Sequence, residues 1–366
     1  MKISFILSKC HFYGSSKNVL EVSKHLSKWG HETHIFANTW DPIGGVFFHK
    51  IPSIQGPFSI REGFTTIYES LKIRGNKFGI KISQPGRYFT PDVAHVRFLE
   101  KKAIEYRKSI GEKTPIATKI VSKIEKYNLR KCKKIISMSN HTKEDIINFY
   151  GIPSEKIEVV YDGINIEKFN PKNKKKHREE IRNMHKISKN DFVVLFVGNP
   201  FERKGLKYLI EAVSFIKEDV KILVLGNDDI NPYVDMAKKL GVDNEIIYAG
   251  FSKEVYKYFN AADIFVFPTL YEPFGLVITE AMASGLPVVT SRIAGASELI
   301  DEYKTGFLLN NPKDSKEISE KIEFLLNNPS HMRKIGRNAA KKMKKYTWKK
   351  TAKDMLKVFE EVKLLI

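Results

Sequence analysis

Two adjacent cations that follow an apolar segment are the first residues that could do chemistry. Arg203 and Lys204 come shortly after the segment Asp191–Val197, which is typical of a buried strand, and directly before Gly205. A helix is expected to begin near Gly205, and the first N–H groups of a helix attract anions. A guanidinium and an ammonium suit the same ligands. The loop therefore predicts a diphosphate site; the alternative is a solvated charge pair on a surface loop.

Two carboxylates form the second candidate cluster. Glu272 lies in a loop, and Glu280 lies inside the apolar helix expected between Leu276 and Gly285. Carboxylates accept hydrogen bonds from paired sugar hydroxyls, so Glu272 could contact a sugar and Glu280 a ribose. The alternative is that both are ordinary helix charges. Since a carboxylate in a buried helix needs a partner, we favour the functional interpretation.

The elements that must position these residues alternate between strands and helices. Helices are expected at Ser15–Trp29, Lys207–Ile216 and Thr347–Ile366. Expected strands are Lys2–Ser8, His31–Ala37, Val93–Val96, Ile135–Met138, Ile157–Tyr161, Asp191–Val197, Val220–Leu225, Ile246–Tyr248, Ile264–Phe267 and Val288–Val289. This order predicts an α/β protein with helices on both faces of parallel sheets. Ligands bind beyond the carboxyl ends of such strands, where both clusters fall.

The chain has 366 residues, which favours two domains over one. Between Asn165 and Asp191 a proline is followed by a run of lysines, a composition typical of an exposed linker. The alternation resumes after it. The sequence thus predicts two doubly wound, Rossmann-like domains with a ligand site in the cleft between them.

The net charge of +20 makes polyanions plausible partners, although a solvated lysine-rich surface has the same composition. The sequence has no zinc-finger spacing, RNP-like motif or basic zipper, so we do not expect nucleic acid as a partner. Cys10 and Cys132 suggest neither a disulfide framework nor a metal site, which fits a reducing compartment. The start Met1–Ser8 reads as a strand rather than a signal peptide, and we expect a cytoplasmic protein.

The segment Glu272–Val289 resembles the signature of family 4 retaining glycosyltransferases, which have the GT-B fold. Further segments that resemble this family are Gly30–Thr33, Ile135–Ser139, Val160–Asn165, Gly295–Ile300 and Thr305–Leu308. The resemblance implies an acceptor-binding domain at 1–168 and a nucleotide-sugar-binding domain at 169–345. It also implies that the helix at 346–366 crosses back to the first domain.

The resemblance also implies roles for single residues. Arg203 and Lys204 would hold the donor diphosphate, Glu280 the ribose and Glu272 the donor sugar. Backbone N–H groups would come from Phe274, Gly275 and Leu276. In the first domain, Gly14 would let a loop approach the donor, although Tyr13 stands where the family usually has a second glycine.

His95 matches a histidine near the reacting sugar in the same family, although a histidine that follows a strand is often structural. His11 and Arg97 also lie near strand ends and rank below it. We expect no cofactor and no metal, because Asp228-Asp229 reads as a simple loop outside the segments that resemble the family.

The loop Arg203–Gly205 is similar to that of lipopolysaccharide core glucosyltransferases. This implies a hexose, glucose from UDP-glucose, transferred with retention to a glycan or a lipid-linked acceptor such as lipopolysaccharide core. One alternative is a mannosyltransferase that uses GDP-mannose, but such enzymes usually carry an arginine where this chain has Asn199. The other is a nucleotide-sugar epimerase of the same fold.

The segment Lys101–Lys134 interleaves many lysines and arginines with isoleucines and valines. A basic amphipathic helix pair of this kind can lie on an anionic membrane surface. The alternative is an ordinary helical hairpin with a solvated face. A peripheral position on the inner face of the membrane would suit a lipid-linked acceptor.

Overall fold

The computed structural model describes residues 1–7, 9–11, 16–52, 73, 77–86 and 90–366. The chain divides into two units, of which the first comprises Met1–Gly163 and Trp348–Ile366 and the second comprises Ile164–Thr347.

Parallel strands form the centre of each unit. In chain order the strands are β1 (Lys2–Ile6), β2 (Lys9–Cys10), β3 (Glu32–Ala37), β4 (Thr39–Trp40), β5 (Val46–Lys50), β6 (Ile80–Ser83), β7 (Val93–Val96), β8 (Lys134–Ser137), β9 (Ile157–Val159), β10 (Phe192–Val197), β11 (Val220–Leu225), β12 (Ile246–Gly250), β13 (Ile264–Phe267), β14 (Val288–Ser291) and β15 (Gly306–Leu309). Every strand predicted from the sequence is present, with bounds that differ by at most two residues at either end.

Helices connect most of these strands. Those in the described residues are α1 (Lys17–Lys28), α2 (Glu100–Ser109), α3 (Ile116–Lys131), α4 (Asn140–Tyr150), α5 (Lys174–Met184), α6 (Phe201–Lys204), α7 (Leu206–Val213), α8 (Asn231–Leu240), α9 (Val255–Ala261), α10 (Leu276–Ala283), α11 (Ser315–Asn327), α12 (Pro329–Met343) and α13 (Trp348–Lys363). Short 3₁₀ turns lie at Ser154–Lys156, Asp243–Glu245 and Gly295–Leu299.

The sheet of the first unit has the strand order β5-β3-β1-β6-β7-β8-β9 in the part of the chain that the structure describes. All of its pairings are parallel, and most residues of its inner strands are buried, as is typical of a parallel sheet. Helix α13 packs against α1. Its buried face includes Phe359, whose ring lies 6.2 Å from that of Phe5 in β1.

The sheet of the second unit has the order β12-β11-β10-β13-β14-β15. All of its pairings are parallel as well. This is the doubly wound Rossmann order, in which the chain reverses direction across the sheet beside its first strand. Here the reversal lies between β10 and β13, whose carboxyl ends are neighbours.

The prediction of an exposed linker between Asn165 and Asp191 was wrong, because α5 lies within this stretch. Lys175 and Lys176 are exposed, whereas His177, Ile181 and Arg182 are buried. Arg182 donates to Asp263 at 2.9 Å and to the carbonyl of Ala261 at 3.0 Å. The lysine-rich composition suggested a linker, but the segment forms an amphipathic helix that packs on α9.

Helices α2 and α3 pair with one another, as the basic segment predicted. Their hairpin is fixed at Glu125, which is fully buried. The Glu125 carboxylate accepts from the Glu100 N–H at 3.2 Å and from the Tyr150 hydroxyl. Burial raises the pKa of Glu125 to about 8, although the hydrogen bond from Tyr150 opposes this shift. Within the described residues, no helix is both long enough and apolar enough to cross a bilayer.

The Glu125→Gln variant should change how stability depends on pH. An acid with a raised folded-state pKa stabilises the fold below its unfolded pKa, and this contribution is lost as the pH rises to about 8. Glutamine cannot ionise. We therefore expect the free energy of unfolding of the wild type, relative to that of the variant, to fall by roughly 1–3 kcal/mol between pH 5 and pH 8 in urea titrations.

The control is Glu105→Gln, an exposed glutamate of the same hairpin, which should leave the wild-type pH dependence unchanged. Parallel pH profiles for the wild type and Glu125→Gln would show that Glu125 is ionised in the folded protein, contrary to the raised pKa.

Candidate functional site

The two candidate loops of the second unit leave neighbouring strands at the point where the sheet order reverses. Strand β10 pairs with β11 on one side and with β13 on the other. Arg203 and Lys204, which were expected in a loop, lie in the short helix α6 that follows β10, and the loop that carries Glu272 follows β13. Since both strands are parallel, both loops lie at the same edge of the sheet, where ligands bind in doubly wound folds.

The loop after β10 is held by the loop after β11. The N–H of Phe201, the first residue of α6, donates to the Asp228 carboxylate at 2.6 Å. The Asn199 side chain accepts from the backbone N–H of Asn227 at 3.1 Å. From the sequence, Asp228 was expected to be a simple loop residue. Its position shortly after the end of β11 at Leu225 is the signal that could have identified this positioning role.

A buried ion pair joins the two loops. Lys204 in α6 is only 7% exposed, and its Nζ contacts the Glu272 carboxylate. The same Nζ lies 5.2 Å from the ring centroid of Phe267, the last residue of β13. Arg203 donates to the carbonyl oxygen of Tyr271 at 2.5 Å and lies 3.8 Å from the Glu272 carboxylate. The structure therefore brings three of the predicted residues into one cluster.

The charges of this cluster depend on one another. Burial lowers the pKa of Lys204 well below its ordinary value, and the neighbouring Arg203 charge lowers it further. The Glu272 carboxylate opposes both effects, because an adjacent anion favours the ammonium form. Removing one partner of a buried pair costs about 3–5 kcal/mol. The Lys204 ammonium consequently requires an anion beside it.

The loop after β13 is held by the segment that follows β14. The Glu272 carbonyl accepts from the Gly295 N–H at 3.0 Å, and the Phe274 carbonyl accepts from the Ala296 N–H at 2.7 Å. Gly275 has φ +101°, a value that favours glycine, and α10 begins at the next residue, Leu276. The first N–H groups of a helix lack partners within it, so this end of α10 can receive an anion.

Glu280 lies within α10 and is 6% exposed. Of the apolar neighbours that suggested a buried helix, Ile278, Ala281 and Met282 are fully buried, whereas Val277 is partly exposed. A carboxylate at this depth fits a role as a fixed hydrogen-bond acceptor.

In the first unit, His95 is the third residue of β7 and is 4% exposed. Burial and, to a smaller extent, the Arg97 charge lower the pKa of His95 to about 3, and the Asp162 charge opposes both effects. The imidazole is therefore neutral at physiological pH. It can form hydrogen bonds but cannot act as an imidazolium acid.

A buried network that the sequence analysis missed lies beside His95. Arg97 donates to both carboxylate oxygens of Asp162, at 3.3 and 3.0 Å, and Asp162 also accepts from Asn18 in α1. Gly14, predicted to approach the donor, lies outside the described residues. His11 is held by Asp41 at 3.0 Å and by Thr39 at 3.1 Å.

In the described part of the chain, no group of three or more His, Cys, Asp and Glu side chains could hold a metal ion. The cations of the cluster between β10 and β13 are Arg203 and Lys204. This cluster can neutralise a diphosphate through side chains and backbone N–H groups.

Two family models together match most of the chain. Residues 13–168 match glycosyltransferase family 4, and residues 177–342 match glycosyl transferases group 1. An uncharacterized glycosyltransferase of Methanocaldococcus jannaschii is 31% identical over 233 residues, which are 62% of this chain and 60% of that protein. The lipopolysaccharide glucosyltransferase WaaG of Escherichia coli is 23% identical over 336 residues, which are 87% of this chain and 88% of that protein.

The chain thus aligns with less than two thirds of the methanogen protein's length, and the same holds for spore coat protein SA of Bacillus subtilis, at 65%.

Solved structures share the architecture. A crystal structure of WaaG aligns over 96% of this chain and 99% of its own, with a TM-score of 0.82 and 20% identity. Anabaena HepE in complex with UDP and glucose aligns over 98% and 99%, with a TM-score of 0.76 and 18% identity.

Two glycines that end helices provide a test of how closely the segment after β10 approaches Pro268. Gly205 and Gly241 both have a left-handed φ, +81° and +70°. A Cβ at Gly205 would lie 2.0 Å from the carbonyl oxygen of Pro268, whereas a Cβ at Gly241 would meet nothing within 4 Å. We expect Gly241→Ala to cost about 1 kcal/mol and Gly205→Ala to cost about 4 kcal/mol or more in urea unfolding.

Equal costs for the two alanine variants would show that the close approach of the loop after β10 to Pro268 is absent in solution. Gly241→Ala is the matched control, because it carries the same backbone strain without the steric contact.

Proposed function

The chain belongs to glycosyltransferase family 4 and has the predicted GT-B fold, and we propose that it transfers a hexose with retention from a nucleotide diphosphate sugar to an acceptor. The proposed donor is UDP-glucose, and the proposed acceptor is a glycan or a lipid-linked glycan such as lipopolysaccharide core. The proposal includes neither a cofactor nor a nucleic-acid partner. The nucleotide sugar enters the reaction as a substrate.

The buried contact between Lys204 and Glu272 is the observation that carries the proposal. It places a cation that requires an anion beside the carboxylate proposed to meet the transferred sugar. When the donor binds, a phosphate oxygen can take over the Lys204 ammonium, which frees Glu272 to accept from sugar hydroxyls. Arg203, 3.8 Å from the same carboxylate, would share the charge of the diphosphate.

Departure of the nucleotide diphosphate leaves negative charge on its terminal phosphate. Arg203, Lys204 and the N–H groups of Phe274, Gly275 and Leu276 would stabilise that charge with donors that are already in place. Glu280, buried in α10, would hold the ribose. These residues would contact the sugar, the diphosphate and the ribose of a nucleotide sugar, which is the reason to assign the donor to the second unit.

The acceptor hydroxyl must lose a proton during transfer. We propose that the leaving phosphate accepts it on the face that it vacates, so that the configuration at the sugar carbon is retained. His95 remains neutral because burial lowers its pKa to about 3, and it would orient a sugar hydroxyl rather than exchange a proton. Gly14 is also proposed to border the donor.

The choice of glucose and UDP has two supports. One relative is named a lipopolysaccharide glucosyltransferase and aligns over most of the chain. A structural neighbour was solved with UDP and with glucose. GDP-mannose is the alternative donor, and a nucleotide-sugar epimerase is the alternative enzyme.

We further propose a cytoplasmic protein that is peripheral on the inner face of an anionic membrane. Helix α3 exposes an apolar row, with Ile116 76%, Ile120 54% and Tyr127 47% exposed. Their spacing places them on one helix face. Lysines flank this row at Lys119, Lys123 and Lys126. An apolar row bordered by lysines is what an interfacial helix requires.

The site assignment predicts the effect of Lys204→Met and Glu272→Gln. Each removes a charge proposed to act on the donor, so UDP release from UDP-glucose in the presence of lipopolysaccharide core oligosaccharide should slow about 10²–10³-fold. Circular dichroism checks that each variant is folded. The controls are Lys207→Ala and Glu202→Ala, exposed neighbours on α7 and α6 that should keep wild-type rates.

Wild-type turnover in both site variants would refute the assignment. Melting temperatures measured with UDP-glucose, GDP-mannose and ADP-glucose identify the base, because only a bound donor raises the melting temperature. Stabilisation by GDP-mannose alone would favour the mannosyltransferase. Conversion of UDP-glucose to an epimer without acceptor, followed by NMR, would favour the epimerase.

Membrane contact is tested by sedimentation with vesicles of phosphatidylglycerol and phosphatidylcholine. Replacing Ile116 and Ile120 by serine should weaken binding about ten-fold or more, since each isoleucine contributes about 1.5–3 kcal/mol when buried. Phe215→Ser, which removes an exposed side chain of the second unit, is the control. Undiminished sedimentation of the double variant would eliminate this face as the contact.

A further inference from the structure

A cavity of about 530 Å³ lies in the second unit, away from the residues assigned to the donor. It is bordered by the segment before α5, the start of α5, and α9. None of its lining residues is Arg203, Lys204, Glu272 or Glu280. Small-molecule sites typically have volumes of about 300–1,000 Å³, so its size suits a ligand.

A buried amide in the cavity lining has an unused hydrogen-bonding atom. Asn260 in α9 is 1% exposed, and its Nδ2 lies 2.9 Å from Nδ1 of His177. Its Oδ1 has no partner among the described residues. Burial lowers the pKa of His177, so the imidazole is neutral and supplies either a donor or an acceptor. Whichever way the amide is turned, it has only this one partner, and an unpaired buried polar atom is costly.

Three more side chains of the cavity lining have no hydrogen-bond or ion-pair partner among the described residues. Glu167, Asn173 and Lys253 form no side-chain hydrogen bond or ion pair with any residue that the structure describes. They offer a carboxylate acceptor, an amide and an ammonium donor. The cavity therefore presents both donors and acceptors that lack protein partners.

The charges of the lining balance. Its carboxylates are Glu167 and Glu254, and its ammonium groups are Lys168 and Lys253. Glu254 accepts from the Tyr256 hydroxyl at 3.0 Å, and the Lys168 ammonium lies 5.1 Å from the centroid of the same ring. A balanced lining gives no preference for an ion, and mixed donors and acceptors suit a ligand rich in hydroxyl groups.

We propose that this cavity binds a neutral oligosaccharide, whose hydroxyls pair with Asn260, Asn173, Glu167 and Lys253. The site is separate from the donor site and goes beyond the proposed transfer. It would hold part of a glycan chain on the second unit, whichever sugar the donor carries.

Saturation-transfer NMR on the whole protein tests the proposal, with maltotriose and triacetylchitotriose as probes. We expect transfer to at least one probe, and a dissociation constant about ten-fold larger in the Glu167→Ala/Asn173→Ala variant. Neither side chain forms a hydrogen bond or an ion pair with a described residue, so this variant should fold normally. The matched control, Glu179→Ala/Asn190→Ala, removes the same side-chain types at exposed positions outside the cavity and should bind as the wild type does.

Asn260→Leu provides an independent arm, because it removes the buried amide itself, and it should abolish the signal while circular dichroism remains unchanged. UDP should not displace the probe. Absence of transfer to both probes, equal affinity in the Glu167/Asn173 variant, or displacement by UDP would each overturn the proposal. Displacement by UDP would place the sugar at the donor site and leave the proposed transfer intact.

Discussion

The contact between the Lys204 ammonium and the Glu272 carboxylate is the interaction on which the proposed chemistry depends. A buried ammonium is stable only beside an anion, and here burial and Arg203 both weaken its charged form. Glu272 supplies that anion in the unliganded protein. A diphosphate that enters would replace one anion by another and would release Glu272 for the sugar. The pair thus keeps the site charged and ready before the donor arrives.

Sheet order creates this contact. Lys204 and Glu272 are 68 positions apart in sequence, and they meet because β10 and β13 are neighbours at the reversal of the second sheet. The surrounding loops are fixed from the other strands, through Asp228 after β11 and through Gly295 after β14. The backbone that carries the charged groups is therefore held in place, so the proposed exchange of partners requires a side-chain movement of Glu272 and little movement of the backbone.

Much of the fold could be predicted from the sequence because buried parallel strands are continuous apolar runs, as in β10 and β11. The half-exposed edge strand β5 lacked that signal. Helix α5 was missed because the consecutive lysines Lys174, Lys175 and Lys176 at its start gave the segment the composition of a linker. For the site, residue types and strand ends indicated Arg203, Lys204 and Glu272. The pairing of Lys204 with Glu272, and of Arg97 with Asp162, depends on long-range strand order that no local pattern contains.

The most direct measurement is a crystal structure of the protein with bound UDP-glucose. We expect the pyrophosphate to contact the Lys204 ammonium and the Arg203 guanidinium beside the first turn of α10, with Glu272 turned from Lys204 toward the glucose hydroxyls and Glu280 on the ribose. A complex in which Lys204 and Glu272 stay paired while the pyrophosphate binds elsewhere would contradict the account.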